Sequence, residues 1–139
     1  MAPEAEQTAA GAEKFVRYFW DVYNYGYTSG NSAPLNGISG EECVFCTSAT
    51  REIDQANAQG LRQTGGRITP QVIQAAPGPV GSSVVVISVV NQEASQVLDE
   101  NASVVATSKA LKAINADSRI EWTGKSWRMA AVTISSKGD

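Results

Sequence analysis

GAEKFVRYFWDVYNYGYTSG, residues 11–30, decides how the rest of the chain is read. At about 100° per residue, Val22, Phe15, Phe19, Ala12, Tyr23, Val16, Tyr27 and Trp20 fall within one arc of about 160°. Glu13, Asn24, Arg17, Asp21 and Lys14 fill the opposite side. The spacing predicts a helix over roughly 8–25. A face this wide and this aromatic needs a broad partner, and a sheet is the one that fits.

Working outward, YGYTSGNSAPLNGIS (25–39) breaks the period with glycines and a proline, leaving one short helical turn around 33–35. Ser39 and Glu42 have capping-box spacing, which predicts a second helix from near Gly40 to around Gly60. Its narrow apolar stripe is Cys46, Ala49, Ile53 and Ala56, and TGGR makes a sharp exit. From Arg67 the period becomes two. RITPQVIQAA reads as a strand that Pro70 confines to an edge or a beginning. SSVVVISVV is a β-branched strand, apolar on both faces. QVLDENASVV reads as a hairpin turning near Asp99–Asn101. ATSKALKAINA reads as a strand, with helix the alternative. SRIEWTGKSWRMAAVTI closes the chain as a hairpin turning at 123–126, with Ile120 and Trp122 facing Trp127 and Met129. Helices followed by about four antiparallel strands give an α+β fold, the helices on one face of the sheet.

The chain has 139 residues, suited to a single domain at 8–135 after a linker at 1–7 and before a tail at 136–139. No apolar run is long enough for a spanning helix. A net charge of −3 without a basic run argues against nucleic acid as a partner. There is no histidine, which removes Ser-His-Asp and Cys-His nucleophiles and His-ligated metals. No cofactor or metal is expected. The opening MAPEAEQTAAGAE lacks the basic and apolar regions of a signal peptide. GKS at 124–126 ends like a phosphate loop, but that motif needs a glycine where Arg119 stands. Asn101-Ala-Ser103 is a formal glycosylation sequon that reads as a turn.

The order of a long aromatic helix, a Gly-rich break, short helices and a hairpin sheet ending in EWTGKSWRMAAVTI resembles the NTF2-like cone. More narrowly, GAEKFVRYFWDVYNYGYTSGN, CVFC and the Gly-Gly exit resemble a family of uncharacterised actinobacterial secreted lipoproteins. The resemblance covers roughly 11–134. It implies an α+β cone in a domain of unknown function, secreted or at the cell envelope. It also implies a lipid anchor on an N-terminal segment that this stretch does not include. It implies no reaction. Asn31 stands where such cones often carry an acidic residue, so no role is carried onto it.

EECVFCTSATREID (41–54) holds both cysteines. A redox dithiol of the thioredoxin kind needs a βαβ setting, and no parallel unit follows. A zinc site needs about four ligands. At i and i+3 in the first turn of a helix, Cys43 and Cys46 are close enough for a disulfide, a local clamp delivering Phe45 and Cys46 to the core. Free structural thiols and a redox pair are the alternatives.

Phe15, Phe19, Tyr23, Tyr27, Trp122 and Trp127 are the candidate lining of a concave apolar pocket, with the tyrosine hydroxyls at its mouth; an ordinary filled core is the competing reading. Val85, Ile87 and Val89 form an apolar row facing away from the other valines of their strand, a candidate interface with a second copy or a protein partner. Asp21 falls on the polar side of its helix and Glu121 points away from Trp122, so neither suits acid–base work in a cone. The expectation is a non-catalytic binding or interaction module for an apolar small ligand or protein partners. The alternatives are an enzyme using a carboxylate or tyrosine inside the cone, and a purely structural dimerisation module.

Overall fold

A computed structural model of the chain describes residues 4–136. The first three residues of the expected linker and the last three of the expected tail lie outside them.

Thr8, in extended conformation, accepts a hydrogen bond from the Gly11 amide on its hydroxyl, and α1 runs from Ala9 to Ser29. It continues four residues past the expected end because Gly26 and Tyr27 keep the helical period. Gly30 then closes it at φ 77°, a left-handed cap favoured by glycine, with its N–H on the Gly26 carbonyl. The expected arc is the buried one: Ala12, Phe15, Val16, Phe19, Trp20 and Val22 all lie in the core. Asn24, expected to face water, is buried instead. Its amide donates to the Ile68 carbonyl at 2.9 Å and accepts from the Ile68 N–H at 2.8 Å. Glu13 Oε2 accepts from the Ala75 N–H at 2.9 Å. Two side chains of the polar face thus satisfy backbone groups at both ends of a strand that has no neighbour on that side.

A short α2, Ala33–Gly37, buries Leu35, and α3 spans Val44–Ala58. The expected capping box is not what starts α3. Ser39 Oγ donates to the Leu35 carbonyl at 2.6 Å, and Ser39 bridges Met129. The cap is Cys43, whose Sγ accepts from the Cys46 N–H at 3.2 Å while bonded to Cys46 Sγ. Cys46, Ala49 and Ile53 are buried as the stripe predicts. A Cβ at Gly26 would lie 2.8 Å from Ile53 Cδ1, so glycine is what lets α1 and α3 approach there.

Among the described residues seven strands follow, in two antiparallel sheets. The large sheet has the order β2-β3-β6-β7: Ile68–Ala75, Ser83–Gln92, Leu111–Trp122 and Trp127–Ser136. The small one is β1-β4-β5: Arg62–Gly65, Ser95–Leu98 and Val104–Ser108. β1 replaces the expected plain exit from the second helix, and it draws the Asp99 hairpin away from the main sheet. Pro70 sits on edge strand β2 beside a bulge, as its missing N–H requires. Trp122 pairs with Trp127 and Ile120 with Met129, the expected closing register. Register shifts also interrupt β3–β6 between Val90 and Gln92 and β6–β7 between Arg119 and Ile120, and such irregularities bend strands. Along β3 the residues alternate. Val84, Val86, Ser88 and Val90 are buried under the helices, while Val85 and Ile87 are exposed. The architecture is α+β, with helices packed on antiparallel sheet.

Candidate functional site

The second half of α1 and the first turn of α3 converge on an aromatic series. Trp20 meets Tyr23 edge-on at 5.2 Å, Tyr23 stacks on Phe45 at 5.7 Å, and Tyr27 lies 4.8 Å beyond Tyr23. Phe45 is delivered by the turn that the Cys43–Cys46 bond closes, with α-carbons 5.2 Å apart. The bond fits an extracytoplasmic compartment, where disulfides persist. No helix among the described residues is long and apolar enough to cross a membrane.

Beyond Tyr27 the packing stops. The small sheet meets the helical layer mainly through β1 against α1, and α3 packs on β7 instead. The gap is a cleft made of two adjoining cavities. One, of about 230 Å³, includes Tyr23, Tyr27, Gln63, Arg67, Ser108 and Lys109 in its wall. The other, of about 360 Å³, lies between α3 and the small sheet and includes Ile53, Ala56, Leu61, Val97, Val105 and Ala106. Tyr27, Thr28, Glu52 and Gln63 border both. At this junction the Tyr27 hydroxyl donates to Glu52 Oε1 at 2.8 Å.

Burial, then the neighbouring Tyr23 and the hydrogen bond to Glu52, push the Tyr27 phenol far above the ordinary tyrosine range. Burial also raises Tyr23, partly offset by the Tyr27 hydroxyl. Both phenols therefore keep their protons at any ordinary pH, and that of Tyr27 is committed to Glu52. Among the described residues no carboxylate is buried and no three cysteines or carboxylates cluster as a metal site. Glu121 lies on the outer side of β6, 2.8 Å from Arg119 and 3.5 Å from Arg128, and the Arg119 hydrogen bond holds its carboxyl below the usual range.

The six aromatic candidates do not share one pocket. Tyr23 and Tyr27 line the cleft. Phe15 and Trp127 line a separate depression of about 410 Å³ with Tyr18 and Ile38, near Glu4 and Ala5. Phe19 is sealed in the core, and Trp122 packs edge-on against Trp127 at 5.1 Å. The reason is length: Phe15 and Tyr27 occupy one face of α1, but twelve residues separate them by roughly 18 Å. Glu52, Arg67 and Lys109 were not expected at the site. Glu52 precedes the buried Ile53, but only the α1–α3 crossing makes it a neighbour of Tyr27. Val85 and Ile87 stand open on the outer face of β3, about half exposed, and Val89 is half-buried on the same side.

No curated protein matches the chain. Among solved structures, the intermembrane space region of the chloroplast protein ARC6 superposes with a TM-score of 0.67 at 12% identity, over 94% of this chain and 98% of that one. A Pseudomonas putida KT2440 protein proposed to be a polyketide cyclase gives 0.40 at 14% identity, over 88% and 91%. The first likeness is one of fold. The family model that matches spans residues 2–133, nearly the whole described domain, and the chain belongs to that family, the family of unknown function DUF6318.

Proposed function

We propose that this domain is a non-catalytic binding module of a bacterial cell envelope, lipid-anchored in its full-length form, and that its ligand site is the cleft between the helices and the small sheet. The observation that carries the reading is the continuity of the two cavities around Tyr27, within the size range of small-molecule sites. Phe19 and Trp20 fill the interior next to Tyr23, which leaves a ligand the cleft rather than the core. The disulfide supports the compartment. The enzymatic alternative is less well supported, because the phenols in the cleft are shifted away from a working pH and Glu52 faces solvent.

A fluorescence titration with N-phenyl-1-naphthylamine tests this. Saturable binding of one probe per chain is expected, weakened at least about tenfold by Ala106→Trp, which fills the apolar wall. No saturable binding, or equal binding by the variant, would remove the cleft as the site.

A second reading rests on a different observation. Val72, Val85 and Ile87 stand exposed together on the outer face, where Val72 pairs with Val89 across β2–β3. A row of this kind suits a two-fold contact with a second copy.

A further inference from the structure

We infer that the cleft takes a single-chain anionic amphiphile, its tail between α3 and the small sheet and its acidic head between Arg67 and Lys109. The inference rests on the binding-module reading above and deepens it.

Two observations carry it. The first is that the halves of the cleft differ in chemistry. The cavity under the small sheet is walled mainly by apolar groups, among them Ile53, Leu61, Val97 and Val105, with Arg62 and Glu52 also in the wall. The adjoining one is richer in polar groups, with Gln63, Gln92, Ser95 and Ser108 beside Arg67, Lys109 and Glu52, and Leu111 as its aliphatic member. A wholly apolar ligand would leave the second half unmatched, and a wholly polar one would leave the first wetted. A molecule with one end of each kind satisfies both.

The second is the sign of the charge. The chain carries 11 basic and 14 acidic side chains, yet the two cavities together include Arg62, Arg67 and Lys109 and a single carboxylate, Glu52. Glu52 already accepts the Tyr27 hydroxyl. Neither Arg67 nor Lys109 forms an ion pair among the described residues, where the three pairs present involve only Arg119 and Arg128. A neighbouring depression that shares Arg67 with the cleft also includes Asp21 and Glu93, but neither forms an ion pair with Arg67 among the described residues. Two unpaired cations at the polar end of an apolar trough select an acid over an alcohol. A guanidinium and an ammonium together suit a carboxylate or a phosphate.

The test is isothermal titration of the whole chain, below micellar concentrations, with dodecanoate, dodecyl phosphate, dodecanol and inorganic phosphate. The acid-headed probes are expected to bind one per chain and at least about tenfold more tightly than dodecanol or inorganic phosphate. The double variant Arg67→Gln/Lys109→Gln, both positions exposed, should abolish the preference for acids while keeping the wild-type melting temperature, which shows that it still folds. Dodecanol binding as tightly as dodecanoate, or a preference that survives the double variant, overturns the anionic head and leaves the binding cleft standing. Inorganic phosphate binding as tightly as dodecyl phosphate overturns the tail. Failure of every chain probe together with the naphthylamine overturns both readings at once.

Discussion

Tyr27 combines three properties that are usually found on different residues. Its ring extends the aromatic series from the core, its hydroxyl holds Glu52, and its position joins the two cavities. Its phenol and that of Tyr23 keep their protons in the folded chain above about pH 10, where the unfolded chain gives them up. Raised folded pKa values mean stability that is fully present below that pH and falls as pH climbs through it. Urea unfolding across the alkaline range should therefore show stability declining above about pH 10, by up to about 1.4 kcal/mol per pH unit for each phenol. Tyr27→Phe should make that decline shallower; an identical slope would mean the Tyr27 phenol titrates as it does in the unfolded chain. Of the site itself, Tyr23 and Tyr27 were legible from helical period alone. Glu52, Arg67 and Lys109 were not, because they come from a helix and two loops that only the tertiary arrangement brings to one cleft.

Among the elements, α3 owes its start to a covalent bond. Cys43 is at once the cap and half of the disulfide, so one change removes both constraints. Closing so short a loop stabilises by about 2 kcal/mol in the chain-entropy picture, and a lost cap adds about 1. The Cys43→Ala/Cys46→Ala variant should lose about 2–3 kcal/mol, read from its urea midpoint, and wild type in dithiothreitol should move the same way. An unmoved midpoint in both would leave the bond without a stabilising part. Elements whose period is set by their own burial were readable: α1, β3 and the tryptophan hairpin. The start of α3 was misread because Ser39-x-x-Glu42 matches a capping box by spacing. The real backbone there turns to meet Met129, with Gly40 N–H and Met129 N–H each bonded across. β1 was missed because RQTG has no apolar alternation; it is a strand only because β4 lies beside it. Asn24 and Glu13 read as solvent-facing for the same kind of reason, since their partners are 44 and 62 residues away.

For the whole molecule, the outer face of the large sheet is divided. Val72, Val85 and Ile87 make it apolar on β2–β3, while Asn115 and Arg119, paired with Val89 and Val85, make it polar on β6. A second copy placed across a two-fold axis over β3 would cover the apolar half of each. Sedimentation velocity should find a concentration-dependent dimer that Ile87→Lys converts to a monomer of unchanged melting temperature. A wild-type chain monomeric throughout the accessible range would discard the contact. The segment ahead of α1 has a consequence of its own. Trp127 Nε1 donates to the Glu6 carbonyl at 2.8 Å, and Gln7 reaches the Gly81 carbonyl at 3.0 Å, so the chain enters the fold beside the tryptophan hairpin. From Ala9 to Tyr27, α1 then runs roughly 27 Å to the cleft. A tether joined ahead of Glu4 would hold the domain by one pole and keep the cleft a helix's length away from it.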